Sequence, residues 1–273
     1  MTVKNISFIG AGNMTQSIVE GLVAKGYPPE NIMASNPSFP KLDNLQKKLN
    51  IRVSQSNTEA IDFAEVVVLS VKPLLMSKVC EDFLKDCDLS NKLVISIAAG
   101  IPCKRLIEML GGHKQVIRVM PNTPSSLGAG MSGIYASDEV SEQDAEFASF
   151  MMKHVGDTLI VDKESDIDTV IAAAGSSPAY FFLIAQSMTE EAMRMGLAEK
   201  DARKLVQQAM LGSAQMIIQN PDTSIETLRT NVTSKGGTTH EAVTTLQKHD
   251  IAHILSEAMQ AAVARAQQMA KEF

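Results

Sequence analysis

The chain contains no tryptophan, only 4% aromatic residues over its 273 positions, and no excess of positive charge. Lys and Arg number 25 against 31 Asp and Glu, for a formal net charge of -6. The deficit is evenly spread: residues 1–165 hold 16 basic and 19 acidic side chains, and residues 166–273 hold 9 and 12. A phosphate-backbone surface needs clustered Lys and Arg, and a base-stacking platform needs aromatic faces, so nucleic acid is not an expected partner. The three cysteines, Cys80, Cys87 and Cys103, are odd in number and lack CxxC spacing, which signals neither a disulfide framework nor a zinc site. His249 and His253 stand four residues apart, but no HExxH glutamate or third ligand accompanies them, so no metal is expected. A GxSxG elbow, a Walker lysine and a paired-carboxylate motif are also missing. No apolar run reaches the ~20 residues that span a bilayer. The start, MTVKNISFIGAGNM, runs straight into a strand-like segment without a signal-peptide h-region and cleavage site. These features predict a cytoplasmic chain with no membrane partner.

What is present reads as an ordinary globular protein, 45% hydrophobic and 21% charged, of a length that suggests two domains. Short apolar runs alternate with helical periods over the first part. Ile6–Ile9, 32–34, 51–53, 66–71, 93–97, 116–119, 131–135 and 159–161 read as strands. Helical faces follow at 14–25, 40–49, 57–62, 73–85, 102–110 and 141–154. Val66-Val67-Val68-Leu69 is β-branched and continuous, as a strand buried on both faces should be. This alternation predicts a parallel sheet covered by helices on both sides. Near Val161 the pattern changes, and from 166 onward only helical periods remain: 166–174, 178–195, 200–219, 223–230, 238–247 and 251–271. The predicted organisation is α/β, with a dinucleotide-type doubly wound domain over 1–163 and an all-α domain over 164–273. The stripes of the later helices, such as Ile251, Ile254, Leu255, Ala258, Ala262, Ala266 and Met269, hold more apolar surface than one small bundle usually buries. A homodimer through these helices is the expectation.

Gly10-Ala11-Gly12-Asn13-Met14-Thr15 directly follows the first strand and opens the first helix. In a Rossmann turn the first glycine allows the bend, the second lets the backbone approach a pyrophosphate, and the helix N-terminus offers free N–H groups. The end of the second strand reads Ala34-Ser35-Asn36-Pro37-Ser38. No carboxylate stands there to hold an NAD ribose or to repel a 2′-phosphate, which favours NADPH, with NADH admitted. Other strand ends fall at Ser70-Val71-Lys72-Pro73, Ala98-Ala99-Gly100 and Met120-Pro121-Asn122, the edge where an open parallel sheet binds ligands. In the helical part, Ala174-Gly175-Ser176-Ser177-Pro178-Ala179-Tyr180 reads as a break before a helix, with Ser177 as N-cap and Pro178 at the first position. Ser234-Lys235-Gly236-Gly237-Thr238-Thr239 precedes another helix; two glycines with several hydroxyls make a nest of donors suited to a carboxylate.

Taken together, FIGAGNM at 8–14, VKP at 71–73, SIAAGI at 96–101, RVMPNTP at 118–124, AGSSPAY at 174–180 and SKGGTT at 234–239 resemble the pyrroline-5-carboxylate reductase family over nearly the whole chain. The resemblance implies a Rossmann domain, a helical dimerisation domain, and reduction of a cyclic imino acid to proline by NAD(P)H. It implies that Gly10, Gly12, Asn13 and Met14 hold the pyrophosphate. Ser35, Asn36 and Ser38 would meet the 2′-phosphate, with Asn57 on the adenosine side. Val71, Lys72, Pro73, Ala98, Ala99, Gly100, Met120, Pro121 and Asn122 would surround the nicotinamide. Ser234, Gly236, Gly237, Thr238 and Thr239 would take the substrate carboxylate, with the Thr239 hydroxyl as the catalytic group at the ring nitrogen, and the loop would come from the partner subunit. The chain departs from the family pattern at Thr15, where a small residue is usual. It also departs at Pro37, where many relatives are basic, and at Lys235, which replaces a proline. Two alternatives stay open on the sequence: an NADP-dependent reductase or dehydrogenase of another small imino or keto acid, and a non-catalytic NADP-sensing dimer. Hydroxyacid dehydrogenases of similar build need a lysine a few residues beyond Gly175, and Ser-Ser-Pro-Ala-Tyr offers none.

Overall fold

The structure, a computed structural model, describes residues 3–272. Two compact units divide the chain: one runs up to Ser176 and takes back the segment from Ala262, and the other is Ser177–Ala261.

The first unit is built on β1 (Ile6–Ile9), α1 (Asn13–Ala24), β2 (Ile32–Ser35), α2 (Phe39–Leu49), β3 (Arg52–Ser54), α3 (Asn57–Phe63), β4 (Val66–Leu69), α4 (Pro73–Phe83), β5 (Leu93–Ser96) and α5 (Cys103–Met109). It continues with β6 (Val116–Met120), a 3-10 turn (Thr123–Leu127), β7 (Gly130–Ala136), α6 (Glu142–Lys153), β8 (Gly156–Ile160), α7 (Asp166–Val170) and a π turn (Ile171–Gly175). The strands form one sheet in the order β3-β2-β1-β4-β5-β6-β7-β8. The order reverses direction between β1 and β4, which puts a crevice at their carboxyl ends.

The four residues of β1, β2, β4 and β5 are each buried throughout, the consequence of helices on both faces. Two apolar layers result. One gathers Phe8, Ile18, Leu22, Val68 and Ile95 under α1 and α6, and the other gathers Ile9, Val67, Met76, Phe83 and Leu106 under α4 and α5. The expected all-parallel sheet is corrected at one strand: β7 runs antiparallel to β6. The chain between them holds only the short 3-10 turn, whereas a parallel return needs a crossover of a dozen or more residues.

The second unit holds α8 (Ser177–Arg194), α9 (Glu199–Gln219), α10 (Ile225–Asn231), α11 (Thr238–Lys248) and the first half of α12 (Ile251–Glu272). The predicted break at 174–180 takes a different form. Helical turns run from Asp166 to Arg194, passing through the π turn, so Ser177 and Pro178 continue a helical path rather than capping a fresh start. A π turn before a proline fits chain chemistry, because Pro178 has no N–H for the regular ladder. This 29-residue run is long and apolar enough to cross a membrane by length and composition alone. The end of α12 also departs from expectation. Ala266 packs with Ile167 and Ile171, so the last turns of the chain belong with the sheet.

Candidate active site

The crevice between β1 and β4 is lined by the glycine turn. Gly10 has φ +110, and a Cβ there would meet the Ser70 carbonyl oxygen at 2.8 Å. Its own carbonyl accepts the Thr15 hydroxyl at 2.8 Å and the Ser70 hydroxyl at 2.9 Å, and its N–H donates to the Ser35 carbonyl at 2.9 Å. Thr15 is fully buried, and its hydroxyl has this definite task. The close helix contact that a third glycine would serve falls instead at Gly21, where a Cβ would lie 2.5 Å from Val155. Gly12 is different in kind. Its φ of -81 suits any residue, and a Cβ there would meet nothing within 4 Å. The fold does not require glycine at 12, and the bare backbone there leaves room for close approach by a ligand. Gly12 caps α1 without a side-chain bond, and no acidic residue occupies the first turn, so Asn13, Met14 and Thr15 head a helix end suited to an anion. These features fit a dinucleotide pyrophosphate.

At the end of β2, Ser35 is fully buried and its hydroxyl donates to Asn57 Oδ1 at 2.8 Å, linking the strand to α3. Asn36 accepts from the Ala11 N–H through Oδ1 and donates to the Ser38 carbonyl through Nδ2. Ser38 is exposed at the N-cap of α2 and makes no side-chain capping bond. The exposed hydroxyl on this loop is therefore Ser38, while Asn36 fastens the loop to Ala11 and to Ser38 main chain, and Ser35 and Asn57 pair behind it.

Further along the edge, Lys72 is exposed at the N-cap of α4, followed by Pro73 in its first turn, while Val71 is half-buried. Ala98 and Gly100 are buried and Ala99 is half-buried. Gly100 has φ +80, and a Cβ there would sit 2.9 Å from Met269 of α12. Met120 is half-buried, and Pro121 and Asn122 are buried. The Asn122 carboxamide is engaged with main chain, donating to the Ala174 carbonyl at 3.0 Å and accepting from the Met131 N–H at 2.8 Å. Below this loop, the guanidinium of buried Arg118 donates to Glu164 at 3.2 Å, and the same carboxylate oxygen takes the Cys103 N–H at 2.7 Å, at the start of α5. Burial, with Glu164 beside it, pushes the Cys103 thiol up to about 12, and burial does the same to Cys80. Neither is poised as a nucleophile.

In the helical unit, Gly236 lies in the left-handed region at φ +74 and Gly237 caps α11 without a side-chain bond. A Cβ at Gly237 would meet Ser234 Oγ at 2.7 Å, so the second glycine is fixed by the tightness of its own turn. The Gly237 N–H donates to the Ser234 carbonyl at 2.9 Å. Thr238 and Thr239 then form the first turn of α11, both exposed, leaving their backbone amides at the open end of an 11-residue helix. A carboxylate is the ligand such a turn favours. Sequence reading missed Gly21, the contact of Met269 with Gly100 and the anchoring role of Asn122, because each is defined by a partner far away in the chain.

A dinucleotide-binding sheet followed by a helical dimerisation segment defines a class of NAD(P)-dependent oxidoreductases, and comparison with known proteins agrees. The profile for pyrroline-5-carboxylate reductase dimerisation matches residues 164–269, and that for F420-dependent NADP oxidoreductases matches residues 5–100. A pyrroline-5-carboxylate reductase of Vibrio alginolyticus is 54% identical over 273 residues, with all of both chains covered. The solved pyrroline-5-carboxylate reductase of Coxiella burnetii aligns with a TM-score of 0.93 and 38% identity, covering 98% of this chain and 99% of that one. The Plasmodium falciparum enzyme, solved with NADP bound, aligns at 0.87 and 27% identity over 99% of each chain. The chain belongs to the pyrroline-5-carboxylate reductase family.

Proposed function

We propose that this protein reduces 1-pyrroline-5-carboxylate to proline with NADPH as the preferred reductant, in the cytoplasm. The observation that carries the reading is the pair of open helix ends, at Gly12 and Gly237, each on a bare glycine backbone and each matched to an anion: one to a pyrophosphate, the other to a carboxylate.

In this reading Gly10, Gly12, Asn13 and Met14 hold the pyrophosphate, and Asn36 and Ser38, backed by Ser35 and Asn57, take the 2′-phosphate. Val71, Lys72, Pro73, Ala98, Ala99, Gly100, Met120 and Pro121 frame the nicotinamide, on a loop that Asn122 fastens from behind. A reduced nicotinamide supplies hydride to the C=N carbon when bound. The amides of the 236–239 turn orient the substrate through its carboxylate, with Ser234 and Thr238 at the margin of that turn. The Thr239 hydroxyl meets the ring nitrogen and steadies the proton there as the imine becomes an amine. A protonated cyclic imine is already a good electrophile, so orientation rather than a strong acid supplies most of the catalysis.

The test is turnover: the purified protein is mixed with pyrroline-5-carboxylate and NADPH or NADH, and loss of the reduced nicotinamide's absorbance is followed. Oxidation coupled to proline formation, faster with NADPH, is expected. No oxidation with either cofactor overturns the reading.

A further inference from the structure

We propose that Asn122 is a positioning residue for hydride transfer, tying the loop after β6 to the π turn and to the start of β7 rather than touching the nicotinamide itself. The proposal rests on the functional reading above, which puts 120–122 beside the nicotinamide.

Three observations carry it. Asn122 is 8% exposed, and both ends of its carboxamide are committed to main chain: Oδ1 to the Met131 N–H at 2.8 Å and Nδ2 to the Ala174 carbonyl at 3.0 Å. The π turn and the loop are also shaped to each other, since a Cβ on Gly175 would lie 3.0 Å from Met120 Cε. Behind them, Gly133 of β7 leaves room for Val170 of α7, where a Cβ would come within 2.7 Å. One side chain therefore closes a buried link among three backbone segments, beside the close packing of Val170 on Gly133. π turns inside helices frequently mark functional positions, and here the insertion presents a carbonyl to an asparagine on the ligand-binding edge.

The consequence concerns rate more than affinity. A dinucleotide held at Gly12 and around Ser38 keeps most of its binding contacts if the 120–122 loop relaxes. Hydride transfer, in contrast, depends steeply on the placement of the reacting atoms. Asn122→Ala removes both links, and Asn122→Ser leaves a short neutral hydroxyl that can serve at most one of them.

The experiment measures kcat, KM for both substrates, NADPH binding by fluorescence and the deuterium isotope effect with NADPH labelled at the transferred position. For Asn122→Ala, kcat is expected to fall about 10-fold while NADPH affinity stays within about twofold, and the isotope effect on kcat rises as the hydride step becomes more limiting. Asn122→Ser falls between Asn122→Ala and the unaltered enzyme, and it carries the test alone if Asn122→Ala does not fold. A loss of activity that follows the folded fraction, with an unmoved isotope effect, reduces Asn122 to a structural residue and overturns the proposal. So does a 10-fold or greater loss of NADPH affinity with kcat intact, which makes Asn122 a direct ligand. If the unaltered enzyme shows no turnover, the functional reading fails and the proposal falls with it; turnover by the unaltered enzyme with no change in the variants overturns the proposal alone.

Discussion

The sheet unit and the helical unit treat their apolar residues in opposite ways. Around the sheet, Phe8, Ile18, Leu22, Phe83 and Ile95 have almost no exposure. Within Ser177–Ala261 only Ala202 and Val206 are buried, while Phe181, Phe182, Leu183, Leu205, Ile218 and Leu246 stand more than half exposed. Single exposed apolar side chains are normal, but a continuous apolar face marks a place where another surface docks. Here it takes the form of a groove of about 930 Å³ between α8, α11 and α12, lined by Leu183, Ile184, Leu246, Ile251, Ile254 and Leu255. The dimerisation match over 164–269 says what that surface is for: a second copy of the chain. It also gives the long apolar run at 166–194 a destination other than a bilayer. One unit completes its core within the chain, and the other completes it by association.

The largest test of that contrast is Leu183→Glu. Leu183 is 64% exposed, so the change leaves the single chain's core untouched and places a charge in the groove. The expected result is a monomer by analytical ultracentrifugation, with turnover reduced by more than about 100-fold because burying an unpaired charge costs several kcal/mol. NADPH binding by the sheet unit persists. A fully active monomer would break the comparison and the idea of a shared site.

Next comes the substrate turn. Thr239→Ala lowers kcat at least about 10-fold in steady-state assays, with dimer and fold retained. Unchanged kcat and KM would remove Thr239 from the mechanism.

The two glycines of the dinucleotide turn divide fold from function inside one unit. Gly10→Ala meets Ser70 at 2.8 Å in a backbone region strained for any side chain, and it lowers the melting temperature by several degrees, a loss of about 1–3 kcal/mol. Gly12→Ala finds empty space, leaves the melt within a degree or two, and weakens NADPH binding about 10-fold or more by titration. Equal effects on stability would show that Gly12 is structural too.

The smallest effect tests the seam of the sheet unit. Lys4 Nζ lies 2.6 Å from Asp144, which ties the approach to β1 to α6. Burial alone would raise the Asp144 pKa, but hydrogen bonds from Lys4 and Ser141 and the Lys4 charge outweigh it, and the net shift is downward. A depressed folded-state pKa means that the pair stabilises at neutral pH and loses this contribution as pH falls below about 4, through the folded value. Asp144→Asn therefore costs at most about 1 kcal/mol at pH 7 by denaturant melts, and the difference from the unaltered protein shrinks in acid. A gap that widens in acid would reverse the assignment.

Legibility from sequence followed the range of the interactions concerned. Val66–Leu69 reads as a doubly buried strand because its own residues declare it, and the glycine turn reads as a dinucleotide site because spacing and strand–helix context are local. The antiparallel β7 is written in a connection too short to cross over, a local clue that an alternation pattern overrides. The π turn at 171–175 is harder: Gly175-Ser176-Ser177-Pro178 reads as a helix start, because small residues and proline are frequent there. The Ala174 carbonyl, which Pro178 has no N–H to serve, accepts from Asn122, fifty-two positions earlier in the chain. A longer separation still hides the contact of Met269 with Gly100. Ser35 shows the converse error risk: its hydroxyl reads as a phosphate donor by position, while the structure buries it against Asn57.

The return of α12 to the sheet has a consequence in time. A ribosome makes the chain from the amino end at roughly 5–20 residues per second, so the strands and their glycine turn emerge well before Ala266 and Met269 exist. For roughly 5–20 seconds the nascent protein holds a nearly whole nucleotide-type sheet whose Gly100 edge lacks its cover. The second half of α12, synthesised after the helical unit, closes the sheet unit begun before it, so removing those turns takes part of the earlier domain as well as the later one.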